Sequence, residues 1–467
     1  MSTAQNLPSE AEIIIIGGGI VGCSIAYHLA KKGVKDVVLL ERKQLTCGTT
    51  WHAAGLVSML WPTPTLTNLA KYCHELYASL ESETGQATGY KRIGSVSLAR
   101  NSERLEELQR TSSMAKVFGV ASQMINNQEL EALYPGINTE GVIGSLYVEK
   151  DGQTNPIDTT MALAKGARAL GVQIIENTKV DDILLDGDKA IGVRCAEGSI
   201  KGKKIILTGG LWSREIAKKI GIKLPLYACE HYYVVTEAMP KLTSRPVMRD
   251  FDKGIYFKED AGKMLIGWFE KNAIGCPMTR IREDFSFDEF PVDMEHIEPY
   301  LMAAMETFPQ IGETGIRTFF NGPESFTNDN LHLLGPTPEI ENFYVACGMN
   351  SKGIAAAGGL GKIFADWVVD GYPSGEITET DVRRNNSIQT TQSYVESRIP
   401  EALGHTYSMH WPFYQYETAR DQIQSPLHQE LAAAGACFGE VCGHERPNWF
   451  ANLGQEAKYE YSYKKPN

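Results

Sequence analysis

The sequence predicts an α/β fold, a largely parallel sheet flanked by helices, interleaved with a second, antiparallel sheet. Three observations carry this. A β-branched run, a glycine-rich turn, a helix and a second apolar run follow one another between residues 12 and 41. Two later apolar runs, 204–207 and 343–346, each lead into a glycine-bearing turn. Between residues 224 and 320, short alternating runs replace the long apolar ones, the pattern of a sheet with unlike faces.

Composition bounds what such a chain does. It has 467 residues, room for two to four domains at roughly 150 residues each. With 43% hydrophobic and 22% charged residues it is neither collagen-like, coiled coil nor grossly disordered. The 45 Lys and Arg against 57 Asp and Glu leave a net charge of −12, which disfavours nucleic acid and anionic membranes as partners. No apolar run approaches the roughly 20 residues a membrane span needs. The amino end is polar, with neither a secretory core nor an Arg-rich transit pattern, so a soluble, cytoplasmic protein is expected rather than a mitochondrial one. The 9 cysteines are scattered, form no CxxC pair and fit a reducing compartment. With no HExxH either, no metal site is expected.

Ile13 to Ile16 reads as a strand buried on both faces. Gly17-Gly18-Gly19-Ile20-Val21-Gly22 then spells GxGxxG, and 23–32 reads as a helix with Ile25, Ala26, Leu29 and Ala30 on one side, stopped by Gly33. Gly17 allows the tight turn, Gly19 lets backbone approach a pyrophosphate, and Gly22 lets helix and strand pack closely. The next strand, 37–40, ends at Glu41, whose carboxylate stands where it can accept both hydroxyls of a ribose. This reads as a dinucleotide site, and both NAD and FAD fit it.

The next segment distinguishes them by resemblance. Gly48-Thr49-Thr50-Trp51-His52-Ala53-Ala54-Gly55-Leu56 is similar to the flavin-linking stretch of the dimethylglycine and sarcosine dehydrogenase family, among the D-amino-acid-oxidase-like flavoproteins. The resemblance implies an FAD-binding, Rossmann-like domain of the glutathione-reductase type and an antiparallel substrate domain of α+β character. It implies FAD bonded covalently through His52, and it adds Arg42 to the cofactor site. Taken alone, His52 reads as an ordinary core or surface histidine.

Later segments match the same family in order. Asp151-Gly152 and Asn155-Pro156 precede a helix over 156–170 and a strand over 172–175. Val180 falls where the family holds the adenine end, and as a residue it also suits an ordinary strand. A hairpin is expected around Asp186-Gly187-Asp188. The turn Thr208-Gly209-Gly210-Leu211-Trp212-Ser213 resembles a second flavin-contacting turn, assigning Gly210 and Trp212 to the cofactor. The loop Gly348-Met349-Asn350-Ser351-Lys352-Gly353-Ile354, before a helix over 355–369, resembles the loop beside the flavin pyrimidine, and Gly348, Ser351, Lys352, Gly353 and Ile354 are assigned there. The helix amino end is expected to stabilise an anionic flavin. Lys352 departs from the small residue usual in the family; it suits a substrate carboxylate, the flavin charge or a solvated loop.

The expected domains are 1–84, 148–223 and 321–380 for the cofactor, 85–147 and 224–320 for the substrate, and 381–467 as an extension. That extension resembles the junction to the family's folate-binding, aminomethyltransferase-like half, so a separate folate-binding chain is an expected partner. The resemblance implies oxidative N-demethylation of a small N-methylated amino acid such as dimethylglycine, with oxygen or an electron-transfer flavoprotein as acceptor. Alternatives are a sarcosine dehydrogenase, a methylaminobutyrate oxidase, or a non-catalytic regulatory protein of this fold. His231 and Tyr256 are the expected catalytic residues by similarity of motif order, and Lys352 is added to them for its place in the loop beside the flavin. The amine must react as its free base, so the site should discourage the ammonium.

Overall fold

Ile13, Ile14, Ile15 and Ile16 are all buried because their strand, Glu10–Ile16, lies inside an eight-stranded sheet. It pairs in parallel with Val37–Leu40 on one side and Gly198–Leu207 on the other, so that Ile16 stands opposite Leu40 and Leu207. Gln173–Ile175 and Phe343–Cys347 extend the parallel core outward. The hairpin Val180–Asp186 and Lys189–Cys195 and the strand Leu333–Pro336 complete it. The carboxyl ends of the parallel strands therefore line one edge, where α/β sheets bind ligands. The structure, a computed structural model, describes residues 7–240, 242–410 and 414–460.

The helix after the glycine turn, Ile20–Lys31, is buried continuously from Ile20 to Ala30 rather than along one stripe. The reason is its surroundings. Pro156–Ala169 and Gly353–Asp370 pack on it, and Pro64–Thr84 packs on both of those, closing one apolar cluster.

The second sheet has nine strands, from Leu226–Thr236, Lys263–Trp268, Ile255–Asp260 and Val247–Asp250 through Ser95–Ala99 to Gly144–Val148 and Gln123–Ile125, with Ile316–Thr327 and Gly275–Cys276 on the far side. Two expectations are corrected here. The sheet is not wholly antiparallel, because Val247–Asp250 runs parallel to Ser95–Ala99. These strands come from distant chain segments, so no hairpin dictates their direction. The expected boundary at 320 also falls inside the continuous strand Ile316–Thr327.

Register sorts the two faces. Arg249, Tyr256, Gly267, Tyr233 and Phe320 stand opposite one another across five strands. On the same face His231 pairs with Gly322 and Cys229 with Glu324. The other face carries Met248, Phe257, Ile266 and Val234, covered by Ile297, Leu301 and Ala304 of helix Met294–Thr307. One sheet thus has a dry side and a side rich in polar side chains.

The extension packs on that polar-bearing side. Helix Gln392–Gly404 sets Val395, Ile399 and Leu403 against Cys229, Leu265 and Phe326. Its Arg398 pairs with Glu440 at 2.8 Å and lies 4.3 Å from the Tyr416 ring centre. Of the aromatics in the extension, Trp411 and Phe413 lie outside the described residues. Among the described residues, no helix is long and apolar enough to cross a membrane, and no cluster of His, Cys, Asp and Glu suits a metal.

Candidate functional site

A cavity of about 430 Å³ opens at the carboxyl edge of the parallel sheet. Gly17, Gly19, Ile20, Val21, Glu41, Arg42, Gly48, Thr49, Thr50, Ala53, Val180, Gly210, Trp212, Ser351, Gly353 and Ile354 all line it, converging from six chain segments. Gly22 stands just behind the wall. Gly17 takes φ +113°, a left-handed value that glycine alone adopts freely, and a Cβ at Gly22 would overlap the Gly17 carbonyl oxygen. This turn accepts glycine only.

Two helices aim their amino ends at this cavity. Ile20–Lys31 has no side-chain cap at Gly19 and no acid in its first turn. Gly353–Asp370 likewise has neither at Lys352. Each presents the positive end of its dipole, which suits an anionic group. Thr50 accepts one of the first-turn amides, Ile20 N, at 3.1 Å. Glu41 is fixed by accepting from Gly18 N at 2.7 Å and Lys43 N at 3.0 Å. Arg42 lies 4.1 Å from the Trp212 ring centre and donates to the carbonyls of Glu283 and Phe285, tying the glycine-turn sheet to the segment that closes the cavity.

The second loop is tightly wired. Asn350 and Ser351 both take positive φ, 50° and 58°. The Asn350 side chain accepts from Thr327 N at 2.8 Å and donates to the Gly348 carbonyl at 2.6 Å. Gly348 therefore shapes the loop without lining the cavity. Lys352 turns away: its ammonium donates to the Asn330 carbonyl at 3.1 Å and lies 5.8 Å from the Trp61 ring centre. Burial lowers that ammonium to about 8.

His52 is buried beside the cavity rather than in its lining. Its ring stacks on Phe320 at 4.7 Å, Phe320 stacks on Tyr233 at 4.7 Å, and Trp51 meets His52 and Phe320 edge-on. Burial and the nearby His231 push the His52 imidazole down to about 3, so it stays neutral. Ala54 and Leu56 turn toward the apolar cluster around Tyr256. The left-handed Gly55 abuts the Thr154 carbonyl.

On the polar-bearing face, Phe269 gathers the expected catalytic pair. His231 lies 5.0 Å from its ring, Tyr256 6.2 Å and Tyr407 4.6 Å. Burial lowers His231 to about 4 and raises the Tyr256 phenol well above its ordinary value. The Nδ1 of His231 is buried without a hydrogen-bond partner. Neither hydroxyl of Tyr233 and Tyr256 has a protein partner among the described residues.

Sequence reasoning passed over several groups here. Glu324 lines the cavity and accepts from the Ser351 hydroxyl. Glu270 is fully buried, with both carboxyl oxygens unpartnered, and burial raises it to about 8. Arg249 shares the Tyr256 register row and donates to Ser58 Oγ at 2.6 Å. Arg249 and Glu324 are charged residues inside strands, whereas Glu270 follows the end of Lys263–Trp268, so no one sequence signal marks all three.

The fold and this cavity define a dinucleotide-binding protein of the two-sheet flavoprotein kind. Residues 12–367 match the family described as FAD dependent oxidoreductase, and 370–425 match the FAD dependent oxidoreductase central domain. The chain belongs to the FAD-dependent oxidoreductase family. It is 41% identical over 465 residues to 4-methylaminobutanoate oxidase (formaldehyde-forming) of Paenarthrobacter nicotinovorans, covering 99% of this chain and 56% of that protein. It is 36% identical over 467 residues to mitochondrial sarcosine dehydrogenase of Homo sapiens, covering 98% of this chain and 51% of that protein. The chain thus spans about half the length of these relatives. L-proline dehydrogenase from P. horikoshii shares the fold, with a TM-score of 0.74 at 24% identity over 81% of this chain and 98% of that one.

Proposed function

We propose that this chain carries out FAD-dependent oxidative demethylation of a small N-methylated amino acid of the sarcosine, dimethylglycine or methylaminobutanoate type. The observation that carries the proposal is the set of unpartnered polar groups, His231 Nδ1 and the Tyr233 and Tyr256 hydroxyls, on a face otherwise walled by Phe269, Phe320 and Phe326. Such a surface suits a small molecule with one polar end and an apolar N-methyl group.

FAD fits the cavity chemically: two uncapped helix ends for its anionic groups, Glu41 for ribose, and Gly17 and Gly22 for close backbone approach. When bound it supplies a two-electron acceptor for the hydride of the N-methyl carbon. The chain's residues do the rest. His231, neutral by burial, hydrogen-bonds the substrate. Tyr256, held as a phenol, donates to the substrate carboxylate or orients its nitrogen. The three phenylalanines exclude water, which favours the uncharged amine over the ammonium. Water then hydrolyses the iminium product to formaldehyde and the demethylated amine. His52 is the proposed point of covalent attachment; its neutral ring and rigid aromatic stack supply the unprotonated nitrogen such a bond needs. Oxygen or an electron-transfer flavoprotein takes the electrons, and a folate-binding partner receives the carbon where one is present.

The experiment is a panel of sarcosine, dimethylglycine and 4-methylaminobutanoate mixed with the oxidised holoprotein without oxygen. Bleaching of the flavin by at least one of them is expected. A yellow protein that none of them bleaches points to the non-catalytic, regulatory reading instead.

A further inference from the structure

We propose that Glu324 is the base that removes the proton of the substrate ammonium, with Ser351 holding its carboxylate at the cavity wall. The inference rests on the amine-oxidising reading and adds to it a residue and a proton path.

Glu324 is placed by the Ile316–Thr327 strand, opposite Cys229 and on the face that holds His231 and Tyr256. It is the carboxylate in the cavity wall at the end where Ser351, Gly353 and Ile354 also stand. The Ser351 hydroxyl donates to one of its oxygens, and the Ser351 backbone also faces it. Ser351 is held at positive φ by the Asn350 bonds to Thr327 and Gly348, so the donor is preset. No cation pairs with Glu324 within 4.0 Å among the described residues, since nearby Lys352 turns to the Asn330 carbonyl. The carboxylate faces Cys229 of Leu226–Thr236, Tyr256 of Ile255–Asp260 and Glu270 beyond Lys263–Trp268. All three are neutral at physiological pH, the thiol and phenol because burial raises them and Glu270 because burial raises it to about 8. An anionic Glu324 is thus unpaired and ready for a cation.

Burial raises Glu324 to about 7, between its ordinary value and that of a dialkyl ammonium. In water such an ammonium keeps its proton to about pH 10, like a lysine. The apolar wall lowers the ammonium and raises the carboxyl, bringing the two within range of transfer. The step balances: the N–H bond breaks, the proton goes to a Glu324 oxygen, and the electron pair stays on nitrogen. The neutral amine is then the species that gives up hydride. His231 and Tyr256 carry no formal charge and cannot act as this acceptor without becoming charged in a dry site.

The test is Glu324→Gln in the holoprotein, read by anaerobic flavin reduction from pH 6 to pH 10. A rate loss of about 10-fold or more at pH 7 is expected, shrinking toward wild type as solution pH itself frees the amine. Glu324→Asp, which keeps a carboxylate, should retain a titrating profile. Infrared spectroscopy gives a readout without turnover: a carboxylic acid carbonyl band that titrates near pH 7 in the wild type should vanish in Glu324→Gln and persist in Glu270→Gln. Equal slowing at every pH, no slowing at pH 7, or no such band overturns the assignment. Failure of every N-methylated amino acid to bleach the wild type would sink the substrate reading instead, and the infrared band would still decide whether Glu324 titrates.

Discussion

The Nε2 of His52 lies 3.5 Å from the point where a side chain at Gly322 would begin. His231 is the residue paired with Gly322 on the neighbouring strand. The His52 ring thus occupies space left by a missing side chain, and His231 is near enough to act on it electrostatically. A Cβ there would also press on the Phe320 ring, 2.5 Å from its Cζ. Gly322→Ala should displace Phe320 and His52 together. The expected outcome is at least a several-fold fall in the fraction of flavin that stays with the polypeptide after denaturation, measured by absorbance of the precipitated protein.

His52→Ala tests the attachment directly. Flavin should leave the variant on acid or detergent denaturation and stay with the wild type. FAD binding itself should weaken but persist, because the glycine turn, Glu41 and both helix ends are untouched. Wild-type flavin that washes out freely under denaturation would show that His52 forms no bond.

Gly22→Ala tests the cofactor turn. The added methyl would overlap the Gly17 carbonyl oxygen and also press on Thr208 Oγ1. A loss of about 3 kcal/mol is expected from such overpacking, with FAD affinity falling more than 10-fold. Thermal melting with and without added FAD, together with a binding titration, measures both.

Glu270 predicts a pH dependence of stability. Its folded value, about 8, lies above its ordinary 4.5, so the folded protein binds a proton that the unfolded chain releases. The contribution is complete below pH 4.5 and is lost as pH rises through 8. Glu270→Gln keeps the shape and cannot ionise. It should be more stable than wild type above pH 8, by on the order of 2 kcal/mol, with the difference shrinking toward pH 5. Denaturant titrations at both pH values check this.

The buried histidines act in the opposite direction. Burial lowers His52 and His332 to about 3 and His28, His74 and His231 to about 4. Unfolding lets each take up a proton below its ordinary 6.5. Stability should therefore fall as pH drops from 6.5 toward 4, with net proton uptake on unfolding. Calorimetry in buffers of different ionisation enthalpy counts those protons.

Much of the cofactor side was legible before the structure. GxGxxG, Glu41 and the turns at Gly210 and Ser351 follow strands whose apolar runs are unbroken, and local chemistry there dictates local shape. The face that carries His231 and Tyr256 was legible only in outline. His231 and Tyr256 were named through motif order, whereas Glu324, Glu270 and Arg249 carry no motif. A carboxylate on a strand looks the same in sequence whether it faces solvent or a cavity, and only the register with Cys229, Tyr256 and Gly322 tells them apart. Lys352 shows the converse, a residue named for its position whose side chain turns to Asn330. The parallel pair Val247–Asp250 and Ser95–Ala99 was hidden because it joins segments far apart in the chain.

The order of strands has a consequence for how this protein is made and taken apart. From Val37–Leu40 the chain leaves the first sheet for Ser95–Ala99, returns at Gln173–Ile175, leaves again at Leu226–Thr236 and returns at Leu333–Pro336, four transfers in all. No single cut can separate the two sheets into different fragments, since the second sheet lies within the span of the first. A ribosome must emit most of the chain before either sheet can close, because Phe343–Cys347 completes the parallel core. Split or truncated versions should be recovered as aggregates rather than as half-enzymes. Single-chain rearrangements that keep both sheets whole are the ones expected to stay soluble.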